Sequence, residues 1–288
     1  MDSLVSTDWL AGEMAANDLR VVDGSAFLPE QARDAAAEYE AGHIPGAVFM
    51  DLGSLVETSA PVANTLPSPE KFASRMQALG LGDGSRIVVY DDSPIRSSTR
   101  AWFMLTLFGA QNVAILDGGI AKWKAEGRAL ASGQDEPRRR HYTVWQDMAR
   151  LRSKVQVLAN IASRAEQLVD ARGGPRFTGE QAETTPGVAS GHVPGARNVP
   201  YASLFAADGT WKDKSSLKAA FEAEVVDLNR PVIASCGSGM TANVVLFALH
   251  LLGHDQTALY DGSWAEWGSD PALPKELGNG NGKQKAIV

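Results

Sequence analysis

The stretch Pro231-Val232-Ile233-Ala234-Ser235-Cys236-Gly237-Ser238-Gly239-Met240-Thr241-Ala242-Asn243-Val244-Val245-Leu246-Phe247-Ala248-Leu249-His250-Leu251-Leu252 decides how this chain folds and what chemistry it carries. Residues 231–235 form an apolar run of the length of one buried strand. Residues 236–241 hold two glycines and read as a tight loop. From Thr241 to Leu252 apolar residues recur at helical spacing. Strand, Gly-rich loop and helix in that order put Cys236 at the end of a strand and under a helix N-terminus. Several backbone N–H groups and the positive end of the helix dipole then converge on one sulfur, and both favour thiolate over thiol.

The same pattern occurs earlier in the chain without the sulfur. Arg86-Ile87-Val88-Val89-Tyr90-Asp91 matches Pro231 to Cys236, with Asp91 at the cysteine position. Val21-Val22-Asp23 matches Leu168-Val169-Asp170, and Gly42-His43-Ile44-Pro45-Gly46-Ala47 matches Gly191-His192-Val193-Pro194-Gly195-Ala196. Leu116-Asp117-Gly118-Gly119 with Trp123 matches Tyr260-Asp261-Gly262-Ser263 with Trp267. The spacing from Asp91 to Asp117 is 26 residues and from Cys236 to Asp261 is 25. Four blocks in one order mean a duplicated domain; the offset from Gly42 to Gly191 is far longer than the roughly 20–50 residues of a solenoid repeat.

Within each half, Val- and Ile-rich runs (20–22, 87–90, 113–116) read as buried parallel strands. Residues 69–79, 100–108, 217–225 and 241–252 read as helices. Strands alternating with helices predict an α/β fold with a central parallel sheet in each half, and ligands in such sheets sit at the carboxyl ends of strands. The expected division is a silent first domain over 1–130, a linker over 131–149, a catalytic domain over 150–277 and a disordered tail over 278–288. Asp135, Glu136 and Asp147 flank Arg138-Arg139-Arg140, so this basic run reads as a solvated linker.

Composition excludes several classes of function. A net charge of −7 gives no general attraction to nucleic acid or anionic lipid. No apolar run approaches the ~20 residues of a membrane span. The N-terminus Met1-Asp2-Ser3-Leu4-Val5-Ser6-Thr7-Asp8-Trp9 lacks the apolar core of a secretory signal. One cysteine makes no internal disulfide, and the expected location is the cytoplasm.

A lone cysteine in an apolar setting usually serves as a small core residue. Gly237 and Gly239 argue otherwise, because a packing position has no use for a backbone able to curl its N–H groups inward. A thiol phosphatase loop would place an arginine six positions after the cysteine, where this chain has Ala242. A dithiol redox centre would place a second cysteine at Gly239. A zinc site lacks ligands, and although His192, His250 and His254 could serve as bases, no protease signature surrounds the thiol. A thiolate that accepts a sulfur atom and passes it on remains.

At these motifs the chain resembles two-domain rhodanese-family sulfurtransferases over nearly its whole length: tandem duplicated rhodanese-like domains. The loop Cys236-Gly237-Ser238-Gly239-Met240-Thr241 is similar to the Cys-Gly-Ser-Gly-Val-Thr loop of the 3-mercaptopyruvate sulfurtransferases, with Met240 in place of Val. Thiosulfate-preferring members usually carry basic residues just after the cysteine. The resemblance implies Cys236 as nucleophile, loop N–H groups holding a persulfide, Ser238 and Arg176 as substrate-binding residues, and no metal or organic cofactor. It implies a small-molecule sulfur donor and a thiol or cyanide acceptor, including a sulfur-accepting protein such as thioredoxin.

Residue type alone gives Arg176 a second reading, as a surface arginine paired with Glu180, and assigns Arg172 to the scaffold. His43 and His192 recur in both halves although only one half has a thiol, so both read as structural; Trp123 and Trp267 read as core. Two departures bear on the donor. Thr185, in Glu183-Thr184-Thr185-Pro186-Gly187, stands where the family usually has a second carboxylate-binding arginine. Gly53 and Asn64 stand where it tends to have an acidic residue and a histidine. Three readings therefore follow: mercaptopyruvate sulfurtransfer, thiosulfate:cyanide sulfurtransfer, or a persulfide carrier without turnover.

Overall fold

Val- and Ile-rich segments bury both faces of a strand, so each needs cover on two sides, and the α/β layering follows. The computed structural model describes residues 1–134 and 137–280. In the first half the elements are β1 (Leu4–Val5), α1 (Thr7–Glu13), β2 (Leu19–Asp23), α2 (Ala35–Ala41), β3 (Ala47–Phe49), α3 (Pro69–Ala78), β4 (Arg86–Tyr90), α4 (Ser98–Leu107), β5 (Asn112–Leu116) and α5 (Gly119–Ala125). The second half holds α6 (Lys154–Ser163), β6 (Gln167–Asp170), α7 (Gly174–Thr178), β7 (Arg197–Asn198), α8 (Lys214–Ala223), β8 (Val232–Ser235), α9 (Ala242–Leu251), β9 (Thr257–Leu259) and α10 (Ser263–Trp267).

Both sheets are parallel. Their orders are β1-β5-β4-β2-β3 and β7-β6-β8-β9. The repeat is carried in the register: Asp23 pairs with Tyr90 in the first sheet, and Asp170 pairs with Ser235 in the second. In each sheet the chain leaves one strand toward one edge and resumes on the other side of it, between β2 and β4 or between β6 and β8. A crevice opens at such a switch, outside the carboxyl ends of the strands. Asp91 leaves β4 at one of these points and Cys236 leaves β8 at the other.

Local chemistry explains the helix starts. Ser68 caps α3 by accepting from the Lys71 N–H at 3.3 Å, with Pro69 in the first turn, and Asp213 caps α8 by accepting from Ser216 at 2.8 Å. Among the core residues of the first half are Leu10, Val21, Val88, Tyr90 and Trp123; those of the second include Phe177, Ile233, Trp264 and Trp267.

The compact units do not follow the sequence halves throughout. One comprises Met1–Glu57, Leu66–Met148 and Ala207–Trp211; the other comprises Thr58–Thr65, Ala149–Ala206 and Lys212–Val288. Within the first unit the Trp211 N–H donates to Asp117 Oδ1 at 2.9 Å. The expected tail at 278–288 divides. The Gly278 N–H donates to the Thr178 carbonyl at 2.9 Å, so the tail is anchored at its start, while 281–288 lie outside the described residues. Among the described residues no helix is long and apolar enough to cross a membrane.

Candidate active site

Cys236 follows directly from β8 and is about 1% exposed. Its N–H donates to Ser263 Oγ at 3.1 Å, and its carbonyl accepts from the Trp264 N–H at 2.9 Å. Ser263 Oγ lies 4.0 Å from Sγ and 2.9 Å from the Tyr260 carbonyl. One hydroxyl proton cannot serve both acceptors, and the shorter oxygen contact takes it. Ser263 therefore holds the backbone of Cys236 rather than its sulfur. It does so at φ +49°, a left-handed conformation that a side chain adopts only at a cost. The equivalent residue of the first half is Gly119, at φ +57°.

The loop then curls back on itself. Gly239 has φ +75°, and a Cβ there would come within 2.6 Å of the Asp261 carbonyl. Glycine is required twice over, by conformation and by contact. Gly237, Ser238, Met240 and Thr241 are half-buried. The Thr241 hydroxyl makes no capping bond to α9. Asn243, fully buried in the first turn of α9, donates from Nδ2 to the Gly239 and Met240 carbonyls at 2.7 and 2.8 Å.

Arg176 is brought to this loop. A Cβ on Gly237 would lie 3.3 Å from Arg176 Nη2 and 4.0 Å from Arg172 Cδ. The expected partner Glu180 is not the one used. Arg176 Nη2 is bonded to Glu183, whose side chain is 4% exposed and whose other oxygen accepts from Arg172 Nη1 at 2.7 Å. Glu180, nearer in sequence, lies exposed. Arg176 Nε is buried with no hydrogen-bond partner. Arg172 is scaffold, as its sequence position suggests. It bonds both Asp170 oxygens, Glu183 and the Gly191 carbonyl, and its guanidinium lies 4.8 Å from the Trp264 ring centroid. Burial alone would lower the Arg172 pKa; Asp170 and Glu183 outweigh it and hold the guanidinium above its ordinary value. Two carboxylates and two arginines leave this cluster neutral.

The first half shows what stands at the position of the thiol. The Asp91 carboxylate turns back into its own loop and accepts from the Ser98 N–H at 2.6 Å. Burial raises its pKa, and the Ser98 N–H and Arg96 oppose that rise. The one-residue difference between the halves falls here, because α4 begins seven residues after Asp91 and α9 six after Cys236. Both histidines are scaffold. His43 Nδ1 and His192 Nδ1 lie 2.8 Å from the Tyr39 and Phe177 carbonyls, and each ring stacks on that same aromatic.

Thr185 is exposed on a turn, its carbonyl accepting from Val188. The Gly53 N–H donates to Asp51 Oδ1 at 3.0 Å. Asn64 takes φ +62° in the Thr58–Thr65 segment. Sequence reasoning did not single out Glu183, Ser263 or Asn243. For Ser263 a signal existed: a serine in one half where its duplicate has glycine. Among the described residues no group of three or more His, Cys, Asp or Glu is placed to hold a metal ion.

The Rhodanese-like domain model matches this chain twice, at residues 6–126 and 153–270. The chain belongs to the rhodanese-like family. It is 39% identical over 273 residues to the 3-mercaptopyruvate sulfurtransferase of Escherichia coli (strain K12), covering 94% of this chain and 97% of that one. It is 34% identical to the human 3-mercaptopyruvate sulfurtransferase, covering 98% and 97%, and 37% identical to a thiosulfate sulfurtransferase of Cricetulus griseus, covering 92% and 91%. The crystal structure of SseA from Escherichia coli superposes with a TM-score of 0.84 at 37% identity, over 92% of this chain and 99% of that one. This rhodanese-like chain is a sulfurtransferase, with both halves in the family's α/β form.

Proposed function

We propose that the chain moves sulfur from 3-mercaptopyruvate through a persulfide on Cys236 to a thiol or cyanide. The observation that carries the donor is the neutral cluster beside the loop, in which the Arg176 guanidinium lies against Gly237, its Nη2 3.3 Å from a Cβ placed there. One arginine beside the loop suits one carboxylate. A dianion such as thiosulfate would call for net positive charge, and Gly237 and Ser238 supply none.

The Cys236 thiolate attacks the donor sulfur, and the carbon–sulfur bond breaks. Its electron pair goes into the enolate of pyruvate, which takes up a proton. Loop N–H groups stabilise the sulfur anion on each side of the step. Ser238 and Thr241 offer hydroxyls to the donor, and Arg176 orients its carboxylate. An acceptor thiolate then attacks the outer sulfur and releases the Cys236 thiolate, so no cofactor enters. A protein thiol such as that of thioredoxin fits the acceptor role. A location in the cytoplasm suits a single thiol that must stay reduced.

Steady-state assays with mercaptopyruvate and thiosulfate, each with Cys236→Ser and Arg176→Ala beside wild type, test this reading. Turnover should favour mercaptopyruvate and vanish in Cys236→Ser, and KM for mercaptopyruvate should rise about tenfold or more in Arg176→Ala, the loss of one charge-assisted pair. An unchanged KM removes Arg176 from the site. Turnover with neither donor, beside a stable persulfide, points to a carrier.

A further inference from the structure

Asn243 is the only polar side chain among the buried residues of α9, at 0% exposure in a helix otherwise lined by Val, Leu, Ala and Phe. Its Nδ2 reaches two carbonyls of the candidate loop, Gly239 at 2.7 Å and Met240 at 2.8 Å. Its Oδ1 is buried with no partner. With two carbonyl oxygens beside it, the NH₂ end of the amide has to face the loop. An amide that leaves its acceptor end unsatisfied is held there for its donors, since an apolar side chain of that size would avoid the penalty.

Those two carbonyls belong to particular peptide units. The Gly239 carbonyl shares its plane with the Met240 N–H, and the Met240 carbonyl shares its plane with the Thr241 N–H. In a trans peptide the C=O and N–H point opposite ways. Pulling both oxygens toward α9 turns the Met240 and Thr241 N–H groups away from the helix, to the side where β8 delivers Cys236.

The silent half provides a comparison within the same molecule. Its equivalent residue, Thr99, is also fully buried, and its Oγ1 donates to the Arg96 carbonyl at 2.7 Å. There one carbonyl is held beside a loop that carries Asp91. Where the loop carries a thiol, two are held.

We infer that Asn243 is a positioning residue for sulfur transfer: it fixes the two loop peptides whose N–H groups receive the thiolate and the persulfide. The inference rests on the reading of Cys236 as the sulfur carrier. Asn243→Ala should lower kcat about tenfold or more and shorten the lifetime of the persulfide, with KM for mercaptopyruvate within about twofold of wild type. Asn243→Thr, which copies the silent half, should recover a large part of kcat. Asn243→Asp, an acceptor facing two acceptors, should be at least as impaired as Asn243→Ala. Val157→Ala in the core of α6 serves as the control for lost stability: its melting temperature should fall while kcat holds.

Wild-type kcat in Asn243→Ala, an equal loss in Val157→Ala, or no recovery in Asn243→Thr would each overturn the inference. Intact-mass detection of one added sulfur in wild type but not in Cys236→Ser separates the two levels. If that sulfur is present on Cys236 and Asn243→Ala is unimpaired, this inference alone fails. If Cys236→Ser still transfers sulfur, both fail.

Discussion

Replacing Glu183 by glutamine removes the charge that joins Arg172 to Arg176 and leaves the shape nearly intact. The buried partner decides the size of the stability effect. Arg172 is 1% exposed and Glu183 4%, whereas Arg176 is 37% exposed. Breaking a buried ion pair from one side costs about 3–5 kcal/mol, while a pair with a solvated partner is worth about 1 kcal/mol or less. Arg172 keeps its two-pronged bond to Asp170, and glutamine can still accept from Nη1, so the expected loss is about 2–3 kcal/mol, below the full buried-pair value. At about 2–4 °C per kcal/mol, the melting temperature should fall by about 5–10 °C. The same change turns a neutral cluster into one of net charge +1. The added attraction per donor charge, after solvent screening, is about 1 kcal/mol, or about fivefold in binding. A dianion gains that factor once more than a monoanion does. The ratio of kcat/KM for thiosulfate to that for mercaptopyruvate should therefore rise about fivefold in Glu183→Gln. Differential scanning calorimetry and paired steady-state assays read both effects. An unchanged melting temperature together with an unchanged donor ratio would refute the idea that Glu183 sets the charge of the site.

The two loop glycines should respond differently to alanine. Gly239→Ala combines a left-handed φ, worth about 1–2 kcal/mol, with a backbone contact at 2.6 Å, so both stability and kcat should drop sharply. Gly237→Ala has an ordinary φ and meets the tip of Arg176 at 3.3 Å and Arg172 Cδ at an ordinary 4.0 Å, so KM should rise with melting temperature nearly unchanged; calorimetry beside steady-state kinetics checks the pair. Asp91 makes a pH prediction. Burial raises its folded pKa above the unfolded value, so its contribution to stability is full below pH ~3.8 and is lost as pH rises through the folded pKa. Asp91→Asn removes that loss and should gain stability relative to wild type as pH is taken from 4 to 7; urea midpoints that track wild type across that range would contradict it.

The fold was legible because the chain states it twice. Matched runs such as Val21-Val22-Asp23 and Leu168-Val169-Asp170 became β2 and β6 in equivalent register, and the Cys236 loop became the strand-to-helix turn its glycines imply. Arg176 could be placed beside that loop by resemblance, because α7 carries it on a short local motif. Its partner could not. Glu180 is nearer in sequence, yet Glu183 reaches inward because the chain turns between them, and only the folded turn shows which carboxylate is buried. The assignments of Asn243 and Ser263 depend on distances between elements, which hydrophobic periodicity does not encode. The grouping of Thr58–Thr65 and Ala207–Trp211 with the opposite halves is likewise a tertiary outcome, invisible to a repeat found by sequence matching.

The persulfide on Cys236 between donor and acceptor is open to direct measurement. Intact-mass spectrometry of the protein after exposure to 3-mercaptopyruvate, without an acceptor, tests it most directly. Wild type should gain one sulfur atom, mapped to the Cys236 peptide, reversed by a thiol acceptor and absent in Cys236→Ser. Sulfur transfer by Cys236→Ser at the wild-type rate, or turnover by wild type with no sulfur ever found on Cys236, would contradict it.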